Sequence, residues 1–161
     1  MTRIEVTKKI DFSIKLMSET LSQFSSEPFF TRKNDKWSPA EQAQHLVLSI
    51  KPLQLAYRLP GFALRLLFGK MNRPTRTYEE LLDKYHAKQL KTGTTPEAVI
   101  TSLQIAHQQL LKKVENWKES DLDKYVLPHP LLGKISLREM LYFTDFHILH
   151  HNTLTKTIYL S

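Results

Sequence analysis

Two histidines one helical turn apart, His147 and His151, are the residues of this 161-residue chain best placed to do chemistry. They lie in the stretch SLREMLYFTDFHILHHNTLTKTI, residues 136–158. Met140, Thr144, His147, His151, Leu154 and Ile158 step through it by four and three residues, the period of a buried helical stripe. An i, i+4 pair on one helix face has the separation needed to chelate one metal ion. Imidazoles in line with core side chains cost free energy unless each finds a partner, and a metal ion is such a partner. His45 supplies a third imidazole, about two turns into an earlier helix whose stripe reads His45, Leu48, Pro52 and Leu55. Imidazole suits Zn, Ni, Cu or Fe. Three protein ligands with an open fourth position describe a catalytic site rather than a closed structural one. His150 adjoins the pair, but its offset turns it off the stripe. The role of His129 is open.

These residues need elements to position them. The last helix starts with a capping box, in which Ser136 and Glu139 each satisfy the other's backbone amide. The first helix runs from about Thr2 to Phe24 on the stripe Val6, Ile10, Ile14, Met17, Leu21 and Phe24. SSEPFFTRKNDKW follows as a connection, interrupted by Pro28. Ser38, Pro39 and Glu41 then give an N-cap, a first-turn proline and a capping-box glutamate for the second helix. Pro52 is expected to bend that helix. Leu59 to Thr95 is the least regular stretch, with one short apolar helix expected between Gly61 and Gly69 and another over TYEELLDKYHAKQ. The apolar one is expected to cover the bundle or form a dimer contact rather than to meet a membrane. Thr95, Pro96 and Glu97 open the third long helix, striped by Val99, Leu103, Ala106, Leu110, Val114 and Trp117, with His107 a boundary residue beside the stripe. ESDLDKYVLPHPLLGKI reads as a loop closed by His129-Pro130 and Gly133.

Four helices of about 20 residues, each roughly 30 Å long, have the dimensions of a four-helix bundle. The expected fold is therefore all-α: a four-helix bundle, one domain over residues 1–161, with a long irregular connection between helices 2 and 3. Bundles build metal sites from side chains on facing helices, which gives His45 a way to meet His147 and His151.

Composition narrows the partners. There are no cysteines, so disulfides, thiolate metal sites and a cysteine nucleophile are excluded. The charged first residues lack the apolar run of a signal peptide, and no stretch approaches the roughly 20 apolar residues of a membrane span. A cytoplasmic protein without a membrane partner is expected. The net charge of +7 is spread along the chain without a nucleic-acid-binding signature, so a solvated basic surface and no nucleic-acid partner are expected.

Trp37-Ser38-Pro39-Ala40-Glu41-Gln42 leading to His45-Leu46, then His129-Pro130-Leu131-Leu132-Gly133-Lys134-Ile135-Ser136, then His147-x-x-His150-His151, resembles the DinB/YfiT-like superfamily. The resemblance covers nearly the whole chain. It implies a four-helix bundle in which His45, His147 and His151 hold a divalent metal ion, Zn or Ni first and Mn or Fe next. It also implies a metal-dependent hydrolase, or a thiol S-transferase using bacillithiol, mycothiol or glutathione, and a homodimer. The partner would be a small-molecule substrate, including a low-molecular-weight thiol, since the chain has no thiol of its own. The chain is not a zincin: Ile148 follows His147 where that motif has its glutamate base. Glu41 and Asp145 are the nearest candidates for a base, but capping explains the first and solvation the second, so no catalytic residue is assigned. Two other readings stay open: a metal- or small-molecule-binding bundle without turnover, and a basic interaction protein whose histidines are structural.

Overall fold

The computed structural model describes residues 1–69, 95–130 and 132–161. Its long helices are α1 (Arg3–Leu21), α3 (Pro39–Ala56), α5 (Pro96–Val114) and α6 (Leu137–Tyr159). Helix α1 packs against α6 and α5, and α3 packs against the same two, so the four form a bundle. Two short helices lie between them, α2 (Ser26–Phe30) and α4 (Gly61–Phe68). No described helix is long and apolar enough to cross a membrane.

Local chemistry sets the helix starts. Ser38 and Ser136 are N-caps of complete capping boxes with Glu41 and Glu139, and Thr2 with Glu5 makes a third at the start of α1. Thr95 caps α5 through the amide of Ala98, with Pro96 in its first turn. Helix α1 ends at Leu21 rather than Phe24, where the Ser22 amide donates to the Ser18 carbonyl. The connection after it contains α2, which buries Phe29.

The stripes of α1 and α5 are buried as expected, apart from Phe24, which is half-buried. Helix α3 corrects the sequence reading. Leu48 and Leu55 are exposed, as is Pro52, around which the helix continues to Ala56. The core side of α3 is instead Ala40, Ala43, Leu46, Val47 and Ile50. Helix α6 buries Leu137, Met140, Leu141, Thr144, Ile148, His151, Asn152 and Thr155, while Leu154 and Ile158 are half-buried.

The expected loop before α6 is a hairpin: β1 (Val126–His129) pairs antiparallel with β2 (Gly133–Ser136), with His129 opposite Gly133. Gly133 has φ +75°, which a glycine adopts without steric cost. The second strand ends at Ser136, the N-cap of α6, so the hairpin delivers the chain straight into the helix that carries His147 and His151. Helix α4 rests on β1, and Gly61 meets the Tyr125 ring where a side chain would collide with it. The helix expected over residues 77–89 lies outside the described residues.

Candidate metal centre

Helix α3 presents His45 toward α6, and α6 presents His147 and His151 one turn apart, so the three imidazoles converge. Their nearest nitrogens all lie within 4.8 Å of one another. His147 Nε2 is 3.1 Å from His45 Nε2 and 2.9 Å from His151 Nε2. Two nitrogens bound tetrahedrally to one ion with bonds of about 2.05 Å lie roughly 3.3 Å apart, so these spacings are close to those of ligands sharing a cation.

The protonation pattern points the same way. Gln42, buried one turn before His45, places Oε1 against His151 Nδ1, which donates to it. That bond leaves His151 Nε2 as a bare lone pair facing His147. His147 contacts both other rings through its single Nε2, so no placement of protons on three neutral rings gives each contact its own full hydrogen bond. A cation among the three nitrogens satisfies all of them.

Burial keeps the rings neutral. Desolvation pushes His45 down to about 4, with the charge of His150 adding to the effect. Desolvation, then His45, His150 and His129, pushes His147 down to about 3. His151 falls well below the ordinary histidine range, first by burial and then by repulsion from the other rings. All three are uncharged at neutral pH, the state a metal ligand requires.

Aromatic walls enclose the cluster. The Trp37 ring lies 4.9 Å from His45 and stacks over His151 at 6.3 Å, 16° from parallel. Tyr159 holds the neighbouring backbone by donating its hydroxyl to the Trp37 carbonyl, 3.1 Å away. Phe143 stacks on His147 at 5.2 Å, and His129 packs edge-on against Phe143 at 4.4 Å. The Leu132 amide donates to His129 Nδ1, fixing that ring at the end of the hairpin. His150 stands beside His151, with ring centres 5.3 Å apart, but is not one of the converging donors.

The other sequence candidates are accounted for elsewhere. Glu41 is buried and accepts from Arg32 Nε and Nη2 at 2.8 and 2.6 Å and from the Ser38 amide. Asp145 accepts the Ser13 hydroxyl at 2.6 Å, which ties α6 to α1. His107 is buried rather than at a boundary, and donates through Nε2 to Asp11 on α1. Sequence reasoning missed Gln42 and Phe143. Their signals were spacing alone: Gln42 three residues before His45, and Phe143 four before His147.

The sequence pattern of the DinB superfamily matches residues 9–154. The chain belongs to that family. No curated protein matches it. Several solved structures share the fold. TT2238, a four-helix bundle protein, is 19% identical with a TM-score of 0.67, over 96% of this chain and 98% of its own. The colibactin self-resistance protein ClbS, crystallised in complex with a dsDNA, is 15% identical with a TM-score of 0.63, over 98% and 94%. A conserved protein from Enterococcus faecalis is 12% identical with a TM-score of 0.63, over 100% and 99%.

Gln42→Leu keeps the side-chain volume but removes the acceptor that orients His151. A divalent metal held by the three imidazoles would then bind about 10- to 100-fold more weakly while the fold is retained. A competition titration with a chromophoric chelator reads this directly. Unchanged affinity would show that Gln42 does not set the His151 tautomer.

Proposed function

We propose that His45, His147 and His151 hold a divalent metal ion, and that the protein is a metal-dependent enzyme acting on a small molecule with activated water or a cosubstrate thiol. The observation that carries this reading is the pair of Nε2–Nε2 approaches at 3.1 and 2.9 Å among rings that burial keeps neutral. When bound, the ion supplies a full positive charge that acidifies a water or thiol in its open position. The chain's own residues do the rest. Gln42 fixes the direction of one ligand, while Trp37 and Phe143 cover two faces of the cluster with rings and keep bulk water from them. His129 closes the hairpin side through its contact with Phe143. The nitrogen donors suit Zn, Ni, Cu or Fe, and Mn less closely.

Hydrolase and thiol transferase share this site and differ in the nucleophile. With no cysteine in the chain, a sulfur nucleophile must arrive on a small molecule. Glu41 and Asp145 are both engaged in hydrogen bonds elsewhere, which favours a reaction whose nucleophile loses its proton to solvent once acidified. The test is turnover by metal-loaded protein of electrophiles offered with glutathione, bacillithiol or mycothiol, and of ester and amide substrates without thiol. Activity that tracks metal loading and disappears in His147→Ala supports an enzyme. A loaded protein inert to both panels supports the metal-binding bundle without turnover.

A further inference from the structure

We infer that the exposed side of α4, with the turn that leads into it, binds an anionic membrane surface. The sequence predicts α4 to cover the bundle or to form a dimer contact, yet Leu64 is its one buried side chain. Phe62, Leu66 and Leu67 are 75%, 84% and 62% exposed. Phe62 and Leu66 stand one turn apart on one face, with Arg65 beside them. Helix α3, which precedes this turn in the chain, also exposes Leu48 and Leu55, at 46% and 64%, with the exposed Lys51 between them in sequence. Arg58 occupies the turn that joins the two helices and is also exposed. Lys134 Nζ reaches Gly69 at the end of α4 and adds a further positive charge.

Sign is as telling as hydrophobicity. No aspartate or glutamate occurs between Glu41 and Glu79, a run that contains this whole face. Large apolar side chains interleaved with cations and free of acids are what a headgroup–acyl boundary accepts, since chains bury the apolar groups and anionic headgroups meet the cations. The other occupants fit less well. A duplex would use the cations and gain nothing from leucines. A second copy related by a two-fold axis would set the same basic face against itself. Residues 70–94 carry six Lys and Arg against three Asp and Glu, so they too bring like charge.

The experiment is sedimentation of the full chain with vesicles of phosphatidylcholine alone and with roughly one-third phosphatidylglycerol. It is run beside light scattering and a duplex-DNA mobility assay. Binding is expected to be at least tenfold tighter to the anionic vesicles and to weaken with salt. Leu66→Asp and Phe62→Ser, both at exposed positions, are each expected to weaken it about tenfold or more, and Arg65→Gln about fivefold. Thermal unfolding of each variant confirms that the bundle is intact. Absence of binding to anionic vesicles overturns the inference. In that event, a mass halved by Leu66→Asp assigns the face to a second copy, duplex binding assigns its cations to nucleic acid, and neither assigns it to the chain's own cover.

Discussion

The proposed three-histidine centre predicts that divalent metal stabilises this protein and that His147→Ala abolishes the stabilisation. An ion that binds only the folded state stabilises it by about 4 kcal/mol when present at a thousand times its dissociation constant. His147 makes both close approaches in the cluster, at 3.1 and 2.9 Å, so its removal leaves His45 and His151 without the nitrogen that lies against each. Two ligands from different helices then remain in place of three. The metal-free protein should suffer far less. Its three rings cannot all hydrogen-bond one another in full, and losing one relieves that conflict while leaving a cavity beside Phe143. The measurement is chemical denaturation of wild type and variant, each with excess Zn and with EDTA. A wild-type gap of several kcal/mol that closes in the variant is the expected result. A variant that keeps the gap would place the ion elsewhere.

Acid should destabilise the metal-free protein over an interval that the histidines define. An unfolded histidine takes up its proton near pH 6.5, whereas folding holds His45 down to about 4 and His147 down to about 3, mainly by burial. Between those limits the unfolded chain binds protons that the folded chain does not, so stability falls as pH falls and is fully present above pH 6.5. Each such group removes about 1.4 kcal/mol per pH unit, so these two together remove about 2.7. His151, His107 and His129 are lowered as well and steepen the loss. Denaturation in EDTA at pH 7.5, 6 and 5 reads the slope. Stability that stayed flat from pH 7 to pH 5 would mean the cluster protonates freely and is not desolvated as described.

The bundle was legible because its four long helices show periodic apolar residues and three of them, α3, α5 and α6, also start with a Ser or Thr cap and proline or glutamate in the first turn. The meeting of His45 with His147 and His151 was legible too, from a one-turn pair and the rule that bundles build sites between facing helices. Helix α3 was misread because apolar residues run around it: Leu46, Val47 and Ile50 on one side and Leu48 and Leu55 on the other. Burial followed the side with the small Ala40 and Ala43, which let α5 and α6 approach closely. The hairpin was hidden because four-residue strands, one interrupted by Pro128 and followed at once by Pro130, carry too little alternation to show. His107 looked like a boundary residue, since nothing in the order of residues reveals that Asp11 on another helix waits for it. Gln42 was invisible as a functional residue for a similar reason. Glutamine makes no pattern, and its role appears only once α6 brings His151 against it.

The most direct measurement is elemental analysis of the purified protein, wild type beside His45→Ala and His147→Ala, after growth and reconstitution with Zn, Ni, Mn and Fe. Near-stoichiometric metal in wild type, lost in both folded variants, is the result the three-histidine centre predicts. A wild type that takes up none of the four ions, or variants that keep their metal, would contradict it and leave the histidines as core polar groups.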